Sequence, residues 1–279
     1  MDQHQDILGQ DVNTFAESHL PLTSINNELE ITVVPDVHCF TDKIVNLVYI
    51  DLPDNQFVLV DAGMPHSKEH IMAILKERYG EGAKPVCILL THGHFDHVGS
   101  LAELLEDWQV PVYAHPEEMP YLTGKKNYPE ANTDAHGGIV PKIAPMFPNH
   151  GVDLTGYVNP LPNDNTVPNL VGWKWIHTPG HTPGHVSFYR ETDGLIIVGD
   201  AFVTVKQESL WNVLVQKQEI SGPPKYFTFD WIHAKSSIEK LALLNPQVAI
   251  TGHGLPMTGE ELTHSLQKLI TNFDQIGLA

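Results

Sequence analysis

The segment 91–100 reads Thr-His-Gly-His-Phe-Asp-His-Val-Gly-Ser and carries four potential metal ligands within six positions. The four are His92, His94, Asp96 and His97. Neutral imidazole and carboxylate groups bind zinc, iron or manganese, and such a site needs no cysteine. A solvated polar loop needs turn-forming residues but has no use for this spacing. The segment therefore predicts a metal site.

The residues on either side of this segment place it on a loop between a strand and a helix. Val86–Leu90 is a short apolar run, which is typical of a strand buried on both faces. Apolar residues at helical spacing follow the segment: Leu101, Leu104, Leu105 and Trp108. A strand and a helix would hold the ligands rigidly, and binding residues of sheet proteins commonly lie on such loops.

Three further apolar runs end in a potential ligand in the same way. An acidic residue at a buried strand end must be paired, hydrogen-bonded or bound to a metal. Asp61 can orient a ligand or simply cap its turn, and both interpretations stay open. The pairs of run and ligand are Phe57–Val60 with Asp61, Leu195–Val198 with Asp200, and Val248–Ile250 with His253.

A tandem repeat supplies one more candidate, because residues 177–185 read His-Thr-Pro-Gly-His-Thr-Pro-Gly-His. His181 lies between two Pro-Gly turns, where proline restricts the backbone and glycine lets it turn sharply. It is therefore the histidine best presented to a site. His177 ends one predicted strand and His185 begins the next, so we expect these two to orient ligands or to pack. We expect His115 to be structural.

The charge balance is strongly acidic, with 16 Lys and Arg against 34 Asp and Glu and a formal net charge of −18. Such a surface repels nucleic-acid backbones and anionic membranes, so we expect neither as a partner. Cys39 and Cys87 show no disulfide pattern, and no signal or membrane-spanning segment is evident. We expect a cytoplasmic protein with a small-molecule substrate. Its oligomeric state stays open, a homodimer included.

We expect one domain over residues 1–279. Residues 1–28 are polar and weakly patterned, as in a peripheral arm, and the runs Ile31–Val34 and Ile44–Ile50 predict antiparallel strands. Residues 121–169 are irregular, and so long a structureless segment is unusual in a compact domain unless it is functional. We interpret it as an insertion flanking the active site, with a plain surface loop as the alternative.

Aromatic residues in a second loop-rich segment, 203–229, are candidates for the walls of a substrate pocket. Aromatic side chains in such segments also pack without touching a ligand, so this alternative stays open. The candidates are Trp211, Tyr226 and Phe227.

Taken in order, these motifs resemble the metallo-β-lactamase superfamily of metallohydrolases. The match runs from Asp61 through Thr-His-Gly-His-Phe-Asp-His, Thr-Pro-Gly-His, Gly-Asp-Ala and Gly-His-Gly, and spans about residues 30–270. The resemblance implies an α/β fold, α+β by strand order. In this αββα sandwich, two mixed sheets pack face to face between outer helices, and the metals lie at one edge.

The same resemblance implies the ligands and the chemistry. It gives one metal to His92, His94 and His181. It gives a second metal to Asp96, His97 and His253, with Asp200 bridging the two. The two divalent ions would be Zn²⁺, with iron or manganese as alternatives, and they would activate a bridging hydroxide. Asp96 would be the catalytic group that orients the hydroxide and passes a proton to the leaving group, and Asp61 would orient a ligand.

Departures from the family pattern narrow the expected function. β-Lactamases of this superfamily typically carry cysteine at the position of Asp200, which disfavours antibiotic hydrolysis. Glyoxalase II enzymes have a longer C-terminal domain than the segment that follows His253. What remains resembles the branch of small-molecule hydrolases that includes lactonases and thioester hydrolases. We expect hydrolysis of a small ester, thioester or lactone; the alternatives are a mononuclear iron sulfur dioxygenase, a phosphodiesterase and a non-catalytic metal-binding protein.

Overall fold

Two mixed β-sheets packed face to face, with helices on both outer sides, form the architecture of this chain. A computed structural model describes residues 27–130, 153–205 and 218–276. Within these ranges three apolar layers are buried: one between the first sheet and its helices, one between the sheets, and one between the second sheet and its helices. The predicted αββα sandwich is confirmed.

The first sheet has seven strands whose order in space is their order in the chain. The first four strands pair antiparallel, and the last four pair parallel. Parallel neighbours need a crossover between them, so this half of the sheet must be interrupted by helices. The strands are β1 (Glu30–Val34), β2 (Val37–Asp42), β3 (Val45–Leu52), β4 (Gln56–Val60), β5 (Ile88–Leu89), β6 (Val112–Ala114) and β7 (Val158–Pro160).

The second sheet has six strands, and a separate antiparallel pair lies beside it. The strands in chain order are β8 (Thr166–Val167), β9 (Leu170–His177), β10 (Val186–Arg190), β11 (Leu195–Gly199), β12 (Val203–Val205), β13 (Gln218–Ser221), β14 (Val248–Thr251) and β15 (Met257–Thr258). The sheet order is β15-β14-β11-β10-β9-β8, and β12 pairs with β13. Only β11 and β14 pair parallel in this sheet.

The helices are α1 (Lys68–Tyr79), α2 (Phe95–Val98), α3 (Leu101–Trp108), α4 (Met119–Leu122), α5 (Trp231–Leu243), α6 (Gly259–Thr271) and α7 (Phe273–Ile276). Short 3₁₀ turns cover Pro53–Asn55, Pro116–Glu118 and Lys225–Phe227. Helices α1 and α3 pack on the first sheet, and α5 and α6 pack on the second. In the described ranges, the longest helices are too short or too polar to cross a bilayer.

The central strands bury both of their faces. In β4, Leu59 faces the layer under the helices, whereas its neighbour Val58 faces the second sheet. Successive side chains of a strand point to opposite faces, so burial of both faces requires the continuous apolar runs seen in the sequence. Cys39 and Cys87 are buried free thiols in the layer between the sheets, in keeping with the absence of a disulfide pattern in the sequence.

Strand β2 was not predicted, because half of its residues are polar. All six residues are nevertheless buried. His38 lies 3.0 Å from Thr32 Oγ1 and 3.1 Å from Asp51 Oδ2 through its two ring nitrogens, and Thr41 Oγ1 donates to Asn46 Oδ1 at 2.9 Å. Neighbouring strands supply these hydrogen bonds, so the burial leaves no mark in the local sequence of β2.

The topology brings several strand ends to one edge of the sandwich. β4 and β5 run parallel in one sheet, and β11 and β14 run parallel in the other. Parallel neighbours end on the same side of a sheet. Asp61, segment 91–97, Asp200 and His253 follow these four strands and therefore meet at this edge.

Much of the sequence outside the sheets lies beyond the described residues. This holds for 1–26 of the proposed arm and for 131–152 of the proposed insertion. The prediction of one domain over the whole chain stays a prediction. The described part of the insertion includes Tyr128, whose ring centroid lies 4.6 Å from that of His94. Residues 121–130 therefore reach the edge where the strand ends meet.

The layer between the sheets predicts a large effect of one truncation. Phe188 is 0% exposed in that layer, whereas Val171 of β9 is 100% exposed. Phe188→Ala should lower the free energy of unfolding by about 3–5 kcal/mol, because it leaves a cavity among packed side chains. Val171→Ala should change it by less than about 0.5 kcal/mol. Urea denaturation measures both, and equal effects would contradict the described packing.

Candidate metal centre

All seven predicted ligand side chains lie together and buried at the edge where the strand ends meet. Each is at most 8% exposed. Their donor atoms form groups in which every pair of atoms lies within 4.8 Å. The residues are His92, His94, Asp96, His97, His181, Asp200 and His253.

The first group consists of three imidazole nitrogens. His94 Nδ1 lies 3.1 Å from His92 Nε2 and 2.9 Å from His181 Nε2. Two nitrogens that bind one tetrahedral zinc ion at the usual bond length lie about 3.4 Å apart. The three nitrogens therefore have close to the spacing of ligands around one ion. Loops after β5 and after β9 supply them.

The second group combines Asp96, His97 and His253. Asp96 Oδ2 lies 3.3 Å from His253 Nε2. Asp96 and His97 belong to α2, the short helix that begins directly after His94. Segment 91–100 thus contributes donors to both groups, and the two groups lie close together, because the ring centroids of His92 and His97 are 4.2 Å apart.

Asp200 lies between the two groups. Its Oδ2 is 3.4 Å from His181 Nε2 of the first group and 3.4 Å from His253 Nε2 of the second. Its Oδ1 is 3.6 Å from His97 Nε2. A Cβ on Gly252 would lie 2.1 Å from Asp200 Oδ1, so only glycine lets the chain pass this carboxylate.

Asp61 orients His97 by a hydrogen bond to Nδ1, the ring nitrogen that does not face the centre. Asp61 Oδ2 accepts hydrogen bonds from His97 Nδ1 at 2.8 Å and from Thr91 Oγ1 at 2.8 Å, and Oδ1 accepts from Thr91 N at 2.8 Å. The residue has a φ of 63°, a left-handed conformation that costs a non-glycine residue about 1–2 kcal/mol. The structure therefore holds Asp61 in a strained backbone that aims its carboxylate at His97.

Two other histidines are oriented in the same manner. His253 Nδ1 lies 2.9 Å from the carbonyl oxygen of Ile44, and His181 Nδ1 lies 2.9 Å from Thr228 Oγ1. In each case the far ring nitrogen is engaged, which leaves Nε2 directed at the centre. Partners of this kind fix the ring orientation of metal-binding histidines.

His185 does not face the centre but supports Asp200. Its Nε2 accepts a hydrogen bond from the backbone N–H of Asp200 at 2.9 Å, and its Nδ1 lies 2.8 Å from Thr178 Oγ1. Burial lowers the pKa of His185 to about 3, so the ring is neutral and can accept this bond. Its expected role of orienting a ligand agrees with this geometry.

The electrostatics of the two groups differ. Burial lowers the pKa values of His92 and His181 well below their usual range and that of His94 to about 4. Burial also opposes charge on His253, but Asp200 and Asp96 outweigh it and raise the pKa of His253 to about 10. In the same way Asp200, Asp61 and Asp96 raise the pKa of His97. The centre therefore attracts positive charge where its carboxylates lie.

Two buried atoms at this point lack a hydrogen-bond partner in the described part of the chain: His97 Nε2 and Asp200 Oδ1. A buried polar atom left unpaired costs about 1–3 kcal/mol. A cation between these atoms would satisfy both. The donors are imidazole and carboxylate without sulfur, a set that suits zinc, iron and manganese. The residues present therefore fit divalent metal ions.

A cavity of about 330 Å³ opens beside the first group. His94 and His181 form part of its wall. Most other lining residues in the described ranges are aromatic rings, prolines and polar side chains: Glu117, Tyr121, Tyr128, Pro129, His177, Pro179, Thr182, Pro183, Phe229, Asp230 and His233.

The structure describes two of the three predicted pocket residues, Tyr226 and Phe227. Trp211 lies outside the described residues. Tyr226 and Phe227 are buried and are not among the residues that line this cavity. Phe227 instead packs behind His94, with ring centroids 5.0 Å apart. The assignment of these side chains to a substrate pocket stays a prediction.

His115 and His177 stack on each other with ring centroids 4.0 Å apart and an angle of 15° between the rings. His177 Nε2 also lies 2.8 Å from the carbonyl oxygen of Pro183. Imidazole lone pairs lie in the ring plane, so two stacked, nearly parallel rings cannot both aim at one ion. Both residues are packed rather than placed in the centre, as expected from the sequence.

Glu118 is a residue of this site that the sequence did not reveal. It is 0% exposed, and its carboxylate lies between the loop of segment 91–100 and the loop of residues 177–185. The local sequence indicated only the start of a helix at Pro116. Burial raises the pKa of Glu118, although its hydrogen bonds oppose the shift. Thr228, the partner of His181, was missed as well.

Comparison with known proteins relates the chain to one family. Residues 40–253 match the model of the family described as the Metallo-beta-lactamase superfamily. A protein of Bacillus subtilis (strain 168) named "Probable metallo-hydrolase YflN" is 47% identical over 263 residues, which cover 94% of this chain and 100% of that protein.

Two solved structures with related sequences share the fold. One is TTHA1623 in a di-iron-bound form, with 27% identity, a TM-score of 0.53, and coverage of 77% of this chain and 89% of that one. The other is the BLEG-1 B3 metallo-beta-lactamase, with 26% identity, a TM-score of 0.55, and coverage of 85% and 96%.

The contact between Asp61 and His97 gives a testable prediction. Asp61→Asn should weaken zinc binding roughly 10–100-fold, because the amide NH₂ cannot accept the hydrogen bonds that fix His97 and Thr91. Asparagine tolerates the left-handed backbone, so the fold should persist. Asp54→Asn is the matched control, since Asp54 is exposed and has a φ of 59°. Competition with a chelator measures affinity, and equal values for both variants would refute the role of Asp61.

Proposed function

Because the chain belongs to the metallo-β-lactamase superfamily, we propose that it hydrolyses a small ester, thioester or lactone with a pair of divalent metal ions. Its broad class as a metal-dependent hydrolase follows from the family. The observation that carries the finer proposal is the position of Asp200, whose Oδ2 lies 3.4 Å from a histidine nitrogen of each group. A single carboxylate oxygen near both groups is the arrangement expected of a bridging ligand.

The two groups would each hold one ion. His92, His94 and His181 would hold the first, and Asp96, His97 and His253 the second, with Asp200 shared. When bound, two such ions lower the pKa of a water molecule and polarise the carbonyl of an ester, thioester or lactone. We propose zinc, although the same donors also suit iron and manganese. The di-iron form of TTHA1623 supports a pair of ions on this scaffold.

Asp96 is the proposed proton carrier. Burial opposes its ionisation, but His97 and His253 hold the pKa of Asp96 below its usual range. The side chain is therefore ionised and can accept a proton at a carboxylate oxygen. It lies on α2, with its Oδ2 3.3 Å from His253 Nε2 of the second group. A proton held there can pass to the leaving group as the scissile bond breaks.

The cavity beside His94 and His181 would receive the organic part of the substrate. Its volume of about 330 Å³ suits a small molecule, and its aromatic and proline walls suit an apolar moiety. The chain's net charge of −18 works against a nucleic-acid substrate. We therefore propose a small-molecule substrate whose reactive carbonyl lies at the imidazole end of the cavity.

β-Lactam hydrolysis is a second candidate, because BLEG-1 is named a metallo-beta-lactamase and 96% of its chain is covered. A β-lactam is itself a cyclic amide whose carbonyl needs the same activation. The presence of Asp200, where many β-lactamases carry cysteine, favours the ester and lactone proposal over this one.

A substrate screen of the zinc-loaded protein tests the proposal. The panel contains lactones, thioesters, simple esters, phosphodiesters and a β-lactam. We expect turnover of at least one lactone, thioester or ester, with weaker or absent turnover of the others. Turnover of only the β-lactam or only a phosphodiester would contradict the proposal and assign that activity instead. Oxygen consumption by a protein with one bound iron would indicate a sulfur dioxygenase instead.

Replacement of the proposed proton carrier gives a sharper prediction. Asp96→Asn should lower kcat/KM at least about 100-fold, because an amide can neither take the proton nor bind an ion as an anion. Asp107→Asn is the matched control, since Asp107 is exposed on α3, where its Oδ2 lies 2.9 Å from Lys68 Nζ. Steady-state kinetics on the best substrate measures both. Activity of Asp96→Asn within about threefold of the wild type would remove Asp96 from the mechanism.

A further inference from the structure

We propose that Glu118 is a positioning residue that sets the geometry of the first group, His92, His94 and His181. This inference rests on the metal centre of the proposed function. Glu118 ends the 3₁₀ turn Pro116–Glu118 that follows β6, and its carboxylate accepts four hydrogen bonds, none of them from the seven proposed ligands. Its effect would pass through the two loops that carry them.

One carboxylate oxygen of Glu118 holds the first loop. Glu118 Oε2 accepts a hydrogen bond from the backbone N–H of Gly93 at 3.0 Å. Gly93 is the single residue between His92 and His94. A movement of this peptide would therefore move both imidazoles of that loop.

The other oxygen holds the second loop. Glu118 Oε1 accepts from Thr182 Oγ1 at 2.7 Å and from the backbone N–H of Gly184 at 2.8 Å. Thr182 directly follows His181. His94 and His181 are 87 positions apart in the sequence, yet their facing nitrogens lie 2.9 Å apart. Glu118 therefore links the loop of His94 directly to the loop of His181 through hydrogen bonds.

Tyr128 completes the arrangement and joins it to the cavity. Its hydroxyl donates to Glu118 Oε2 and lies 3.1 Å from the backbone nitrogen of Gly93. Its ring packs edge-on against His94 and stacks on Tyr121, with centroids 4.1 Å apart. A Cβ on Gly93 would lie 2.6 Å from the Tyr128 hydroxyl, so only glycine permits this close approach. The hydrogen bonds of Glu118 thus also fix the cavity wall that Tyr128 and Tyr121 form.

The chemistry of these contacts requires a carboxylate. Each oxygen of Glu118 accepts two hydrogen bonds, and all four partners act as donors. An ionised carboxylate has lone pairs for four donors, whereas a glutamine turns an NH₂ toward two of them. Glu118→Gln therefore keeps the shape of the side chain but loses the two hydrogen bonds on the side of its NH₂ group, and with them the link to one of the two loops.

The second group is held by other contacts. Asp61 orients His97, and the carbonyl oxygen of Ile44 orients His253. Loss of Glu118 should therefore weaken one metal position and leave the other intact. A residue that served only general stability would weaken both positions together.

Zinc binding tests this difference directly. Affinity is measured by chelator competition, and the occupancy of each position by anomalous scattering from crystals grown at limiting zinc. Glu118→Gln should weaken the first position roughly 10–100-fold and change the second by less than about threefold. Asp61→Asn should instead weaken both positions, because Asp61 holds His97 of the second group and also Thr91, whose Oγ1 lies 3.1 Å from His92 Nδ1. Glu106→Gln, an exposed change on α3, should alter neither.

Thr182→Val provides an independent variant with a small structural change. It keeps the shape of a buried side chain and removes one of the four donors to Glu118, so a severalfold loss confined to the first position is expected. Unchanged affinity in both Glu118→Gln and Thr182→Val would overturn the inference, as would equal losses at both positions. If Glu118→Gln does not fold, the result for Thr182→Val decides alone. A wild-type protein that binds two zinc ions but hydrolyses nothing contradicts the proposed function and leaves this inference standing.

Discussion

The burial of seven ionisable side chains at one edge of the sandwich is the constraint on which the rest of the site depends. Buried imidazole and carboxylate groups are unfavourable unless each has a partner. Asp61, Thr228 and the carbonyl oxygen of Ile44 satisfy the outer nitrogens of three of the histidines, His97, His181 and His253. The inner atoms face only one another, and two of them lack a hydrogen-bond partner among the described residues. A pair of cations would supply partners for these inner nitrogen and oxygen atoms.

The sandwich can tolerate such a cluster because its apolar layers hold the strands that carry it. Three of the ligand loops follow parallel strands that are buried on both faces, β5, β11 and β14, so their starting points are fixed by the core. The loop of His181 follows the antiparallel strand β9. Hydrogen bonds that cross between loops add the remaining precision. Glu118 joins the two loops of the first group, and Asp61 joins β4 to the helix that carries His97. The fold fixes where the loops begin, and these carboxylates fix the orientation of the loops and side chains at the centre.

The sequence predicted the strand ends and the side chains that meet there because an apolar run followed by histidine or aspartate is a local pattern. Its likeness to a known family then supplied the sandwich and the pairing of ligands. Glu118 and Thr228 stayed hidden, because their partners lie far away in the chain and no periodicity marks them. Strand β2 was not predicted for the same reason, because the hydrogen-bond partners of its polar residues lie on other strands. The pocket walls have no such local pattern, since the sequence alone does not distinguish an aromatic residue that packs against a neighbouring ring, as Phe227 packs against His94, from one that lines a cavity.

The most direct test of this account is the number and position of metal ions in the purified protein. Elemental analysis combined with anomalous diffraction gives both. The account predicts two ions per chain, one beside His92, His94 and His181 and one beside Asp96, His97 and His253, with the Asp200 carboxylate between them. A single ion in the first group, with Asp200 turned away from an empty second group in a fully loaded protein, would contradict it.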